Sequence, residues 1–139
     1  MRTPKTGRML RRSFAALAAA AGFAALAAGQ AAAIDADDFA IDSTRDLYDL
    51  CSAAQNDPHA DNAQLLCIGY FTGAIDYHQA VVGPEFPPIV CAPEGTTRRN
   101  VIDSFVAWAV KQANDAAVMD APPIHGAIAS AMETWPCTR

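Results

Sequence analysis

Apolar positions recur three and four residues apart in four stretches of the chain, each bounded by residues that start or stop helices. In the first, Ser43 and Thr44 offer an N-cap, Asp46 falls in the first turn, and Leu47, Leu50, Cys51 and Ala54 share a face. The polar run QNDPHA, residues 55–60, ends it. Asp61 then predicts the N-cap of a second helix, with Gln64 in capping-box position and Leu65, Ile68, Phe71, Thr72, Ile75 and Val82 as its apolar stripe. Gly83 and Pro84 stop it.

The next segment, GPEFPPIVCAPEGTT (83–97), holds four of the nine prolines, so it reads as an irregular, stiffened connection. Thr97 caps a third helix, with Asn100 three positions on and Val101, Ile102, Phe105, Val106 and Ala109 as the buried face, and with Trp108 and Lys111 towards its far end. After the unpatterned stretch QANDAAVMDA (112–121), Pro122 and Pro123 suit the first turn of a fourth helix. Ile124, Ala127, Ile128, Ala131, Met132 and Trp135 face inward there, and Pro136 and Cys137 close it. No run of alternating β-branched residues occurs, which predicts an all-α, four-helix up-and-down domain over residues 43–139.

What precedes that domain is of a different kind. Arg2, Lys5, Arg8, Arg11 and Arg12 come before an apolar run from Phe14 to about Ala28, followed by Ala31, Ala32 and Ala33. This order is that of a secretory signal peptide, residues 1–33, cleaved near Ala33, which predicts a periplasmic protein. A membrane anchor needs about 20 strongly apolar residues, and this run is short, Ala-rich and marked by Gly22 and Gly29. Arg11 and Arg12 before Ser13 and Phe14 also look like a twin-arginine signal, so the export route stays open. Residues 34–42 (IDADDFAID) read as an acidic, loosely ordered leader.

Cleavage changes the charge. The whole chain carries −5, but the signal takes five of the ten basic residues and none of the fifteen acidic ones, leaving −10. That excludes binding to nucleic acid or an anionic membrane by counterion release, and favours a basic partner or simple solubility. All four cysteines, Cys51, Cys67, Cys91 and Cys137, lie in the mature part, which in an oxidising compartment implies two disulfides. No two are at the two- to four-residue spacing of a zinc site, so no metal is expected. Antiparallel neighbours put the end of the first helix beside the start of the second, predicting Cys51–Cys67. The same topology brings the start of the third helix beside the end of the fourth, predicting Cys91–Cys137. The chain-entropy gain is about 3 kcal/mol for the shorter loop and about 4 kcal/mol for the longer.

Catalytic chemistry finds little support. Asp76, Tyr77 and His78 are adjacent, but helical neighbours point about 100° apart, so Asp76 and His78 make no preset acid–base pair. His59 and His125 have no sequence-adjacent carboxylate partner, oxidised cysteines are poor nucleophiles, and no phosphate loop, nucleophile elbow or H-E-x-x-H motif is present. A binder with no cofactor is expected instead. Its candidate contacts are Asp115, Val118, Met119 and Asp120, read as an apolar tip with acidic flanks, and Glu85 with Phe86 on the Pro-braced loop.

Three blocks, LCIGYFTGAIDYHQ (66–79), CAPEGTT (91–97) and TWPC (134–137), in this order and spacing resemble the Rap/Tai-type immunity proteins. The resemblance implies a small periplasmic helical protein that binds and occludes a peptidoglycan amidase effector of a type VI secretion system, and it suggests a homodimer. A periplasmic stress or acid-protective chaperone without a dedicated toxin is the alternative. Within these blocks, Gly69 and Gly73 read as a close helix–helix approach, and Gly95 as a turn residue needing positive φ.

Overall fold

A computed structural model of the chain describes residues 33–138; the segment expected as signal peptide, up to Ala32, lies outside the described residues. All regular structure among them is helical: a 3-10 turn at Asp38–Ala40, then α1 (Thr44–Cys51), α2 (Ala60–Val81), α3 (Arg98–Gln112), α4 (Ala116–Met119) and α5 (Pro123–Thr134). Ser43 and Asp46 form a reciprocal capping box at α1, and Thr97 and Asn100 form another at α3. Gly95 takes the positive φ, 85°, before the second of these caps.

The long helices pack in a ring, α1 on α2, α2 on α3, α3 on α5 and α5 on α1, and α1 also touches α3 across the middle. The core lies along that diagonal, with Leu47, Phe71, Ile102, Phe105, Trp108, Met119 and Ala127 in one cluster. Phe105 tilts against Phe71 at 5.2 Å and stacks on Trp108 at 6.3 Å between ring centres. Both disulfides join the cysteines that the topology pairs, Cys51 with Cys67 and Cys91 with Cys137.

Several helices are turned or shifted from the expected registers. Helix α2 begins at Ala60 behind His59, not at an Asp61 cap, because the buried Ala60 draws the first turn inward. Its buried face is Ala60, Ala63, Cys67 and Phe71, while Leu65 and Ile68 are exposed. Leu65, Leu66 and Ile68 surround the helix with apolar side chains, so their pattern selects no face; the bond from Cys67 to Cys51 does. Gly69 and Gly73 are exposed, and an added Cβ at either would meet nothing within 4 Å, so they mark no close approach. That role falls to Gly126 of α5, where an added Cβ would meet the Thr44 side chain, with Oγ1 at 2.8 Å. In α5 the inward residues are Gly126, Ala127, Ser130 and Ala131; Ile124 and Met132, expected inside, are exposed. Ala54 lies beyond the end of α1 and is exposed, and the stretch after α3, read as unpatterned, contains α4.

The leader is packed, not loose. Ile34 is buried in a second cluster with Leu50, Ala53 and Ala63, and Phe39 and Ile41 pack around it. Ile41 holds a left-handed backbone, φ 52°, that a β-branched residue adopts only when its surroundings require it, and here Ile41 packs against both clusters. This packing brings acidic groups together. Asp49 of α1 has its carboxyl pushed up to about 6, first by burial and then by Asp38, with Asp46 and Asp35 adding to the effect and Arg45 opposing it.

Thr44 is fully buried, and its N–H and hydroxyl both donate to the Ala121 carbonyl, at 2.8 and 3.1 Å. It has no room to retreat, so Gly126→Ala will destabilise the fold by about 1–3 kcal/mol in urea titrations, and Thr44→Ser in the same chain will recover part of the loss. The raised Asp49 has its own signature. A carboxyl whose folded pKa lies above its unfolded value gives stability that is present below about 4 and is lost as pH rises through about 6. Melting temperatures will therefore fall between about pH 4 and 6, and Asp49→Asn will flatten that slope and raise the melting temperature at pH 7.

Candidate functional site

The most apolar opening in the surface follows from helix lengths. At 1.5 Å per residue, the eight residues of α1 span about 12 Å and the twenty-two of α2 about 33 Å. Cys51–Cys67 ties the end of α1 to the first third of α2, so α1 runs out at Thr44, about level with Ala74. Beyond that point no helix among the described residues lies between the second half of α2 and α5. The result is a groove of about 230 Å³ with Phe71 and Val101 at its base, Tyr77 and Val81 of α2 on one wall, and Ile124 and Ile128 of α5 on the other. Ile89 and Val90 of the Pro-rich connection close one end.

The groove is almost wholly apolar. Its one ring nitrogen of note is Nε2 of His78, which is buried and has no hydrogen-bond partner among the described residues. Tyr77 is 71% exposed and Ile89 46%. The apolar surface continues around Ile89 to Pro87, Pro88, Met132 and the Cys91–Cys137 bond, which fastens the connection to the end of α5. Phe86, 67% exposed, stands at a tight turn where the N–H groups of Gly83 and Phe86 each donate to the other's carbonyl, at 2.9 and 3.2 Å. Pro84 within that turn and Pro87 directly after it stiffen it. Glu85, exposed next to Phe86, adds a carboxylate at the rim.

The other candidate contacts are committed to the fold. Met119 is only 1% exposed and belongs to the main core, so the expected apolar tip points inward; Val118 is half-buried against the same cluster. Asp115 caps α4 by accepting from the Val118 N–H, and Asp120 pairs with Arg45 at 3.2 Å. Sequence alone sees Val118 and Met119 between carboxylates as a loop tip; the four-residue helix α4 turns them under. Of the six proposed contacts, Asp115, Asp120, Glu85 and Phe86 are exposed, and among these Asp115 is taken up by a helix cap and Asp120 by an ion pair, which leaves Glu85 and Phe86. The groove residues Tyr77, Val81, Ile124 and Ile128 escaped notice because Ile124 and Ile128 fit a buried stripe equally well. Their one signal was a surplus of large apolar positions over what four short helices can bury.

The adjacent Asp76 and His78 are not brought together. Asp76 pairs with Arg98 of α3 at 3.4 Å on the surface, while His78 turns into the groove. His59 sits at the start of α2 with its ring edge-on to Phe39, and His125 is exposed in the first turn of α5. Among the described residues no three His, Cys, Asp or Glu side chains are placed to hold a metal ion, and none of the helices is long and apolar enough to cross a membrane.

Residues 43–137, from the cap of α1 to the last cysteine, match the family model of the Rap1a immunity proteins. No curated protein and no solved structure matches the chain. The match takes in every helix from α1 to α5, both disulfides, the groove and the Pro-rich connection, and an immunity protein's work is to bind a protein partner, which is what an uncovered apolar groove on an acidic helical scaffold suits. The chain belongs to the Rap1a immunity protein family.

Proposed function

We propose that this protein is exported to the periplasm and there binds and occludes a peptidoglycan amidase effector of a type VI secretion system. The observation that carries the reading is the apolar groove between α2 and α5, together with the exposed Phe86 on the Pro-rich connection that closes one end of it, on an acidic domain. Exposed apolar surface of this extent on a small domain marks a site of interaction. A rigid aromatic beside a preformed groove is the usual centre of a protein–protein contact, since it buries much area at little entropic cost. In this reading Phe86 enters the amidase cleft, the groove receives an apolar side chain from the cleft's edge, and Glu85 meets a basic group, while the net negative charge of the domain speeds encounter. Two disulfides and the prolines keep the surface in its binding shape before the partner arrives, which lowers the cost of association.

The alternative, an acid-protective chaperone, would work by exposing apolar surface as pH falls. Asp49 works against it, because its raised pKa adds stability on acidification. A homodimer would cover the same groove, so oligomeric state is measured by light scattering alongside binding.

The test is a search of the neighbouring genes for a small cysteine–histidine amidase, followed by titration calorimetry against the purified enzyme. Phe86→Ala will weaken binding by more than about tenfold while leaving the melting temperature unchanged. Met119→Ala will do the reverse: it will destabilise the fold by about 2–5 kcal/mol through the cavity it leaves, with the affinity of the folded protein retained. Full affinity in Phe86→Ala, and also in a variant with Tyr77→Ala and Ile89→Ala, would remove the groove from the binding site.

A further inference from the structure

Ile34 directly follows the small-residue run Ala31, Ala32 and Ala33. It is held at its side chain and at its nitrogen. The side chain is 6% exposed, among Leu50, Ala53 and Ala63. The backbone N–H donates to Asp57 Oδ2 at 3.0 Å. Ala33, one residue earlier, is exposed. Asp57 is fixed by the loop before α2: its other carboxylate oxygen accepts from the His59 N–H at 2.8 Å, and its own N–H donates to the Ala54 carbonyl at 2.9 Å.

We propose that hydrolysis of the Ala33–Ile34 peptide bond is the maturation step of this protein, and that the α-ammonium group it releases forms an ion pair with Asp57 that fastens the leader to the domain. The inference rests on the export reading above. In the step, water adds to the Ala33 carbonyl carbon and the C–N bond breaks. Ala33 departs as a carboxylate at the end of the signal segment, and the Ile34 nitrogen keeps the electron pair of the broken bond and takes up protons to become an ammonium group. A signal peptidase of the exporting cell catalyses this, and no oxidant or reductant is needed.

The position of the bond matters to a single residue. Cleavage one residue earlier would leave Ala33 as the terminus, with an uncharged amide still facing Asp57. Cleavage one residue later would remove the side chain that fills the second cluster. Cleavage after Ala33 places the new charge at the one nitrogen already within hydrogen-bond distance of a carboxylate. An ammonium brings three donors and a full charge where the intact chain offers a single amide donor, and charge-assisted bonds are roughly twice as strong as neutral ones. Asp57 is prepared for it: the N–H groups of His59 and Ile34, and the nearby His59 ring, hold its carboxyl below the usual carboxylate range.

The experiment begins with the full-length chain, expressed with its own leader, followed by cell fractionation, intact mass and N-terminal sequencing. The expected terminus of the exported protein is Ile34. An exported protein that begins elsewhere overturns this inference and leaves export standing; an intact chain retained in the cytoplasm overturns both. The ion pair is read on the processed protein by NMR titration of the α-amine. It should titrate above the ordinary range of about 7.7–8.0, and Asp57→Asn should return it to that range. Because the folded value is raised, the stabilisation is present below the ordinary value and is lost as pH rises through the raised one. Selective acetylation of the α-amine should lower the melting temperature of the native protein but not that of Asp57→Asn. An α-amine that titrates normally, or an acetylated native protein that melts unchanged, overturns the ion pair, and the titration decides the matter even if Asp57→Asn fails to fold.

Discussion

The bond between Cys51 and Cys67 joins the end of an eight-residue helix to the first third of one nearly three times as long, and most of the architecture follows from that tether. It sets the rotation of α2, since Cys67 must face α1; with Cys67 inward, Ala63 and Phe71, one turn to either side, are inward too. It also sets the level at which α1 ends. Thr44 therefore arrives at Gly126, where its hydroxyl and N–H bond to the start of α5 and its side chain leaves no space for a Cβ opposite. Below that contact the bundle has three walls, not four, and the groove is the missing fourth.

Two features that would otherwise be liabilities are accommodated by this plan. The exposed apolar residues around the groove stand on elements that are stiffened independently, by proline and by the Cys91–Cys137 bond, so the surface does not depend on being covered to keep its shape. The acidic residues gather at the opposite side, where the leader lies on α1 and α2. There Asp35, Asp38 and Asp46 act on the half-buried Asp49 with Arg45 as its opposing charge, and Ile34 and Phe39 supply the apolar contact that holds like charges close. The leader thus closes the top of the bundle with side chains that the four main helices do not provide.

How far the candidate site could be read in advance depended on what kind of signal each residue carried. Glu85 and Phe86 lie in a segment whose prolines exclude helix and central strand, so their exposure was legible locally. Met119 and Val118 carried no such mark: an apolar pair between aspartates reads as a loop tip, and only the turn of α4, capped by Asp115, buries Met119 beneath it. Ile124, Ile128 and Met132 recur at helical spacing and were assigned inward. Periodicity reports that a helix has an apolar stripe, not whether a neighbouring helix is long enough to cover it.

The sequence by itself determined the class and order of the elements: four main helices from spacing and capping residues, an irregular link from its prolines, and both disulfides from the antiparallel order that short connections impose. These are local or topological properties, and each rests on residues near one another in the chain. Only the tertiary structure decided the rotation of α2 and α5, the burial of Met119, the seating of Ile34 against Asp57, and the presence of a groove. Each of these depends on where one helix ends relative to another, which is settled by a covalent tether and a single close contact between residues 82 positions apart, Thr44 and Gly126.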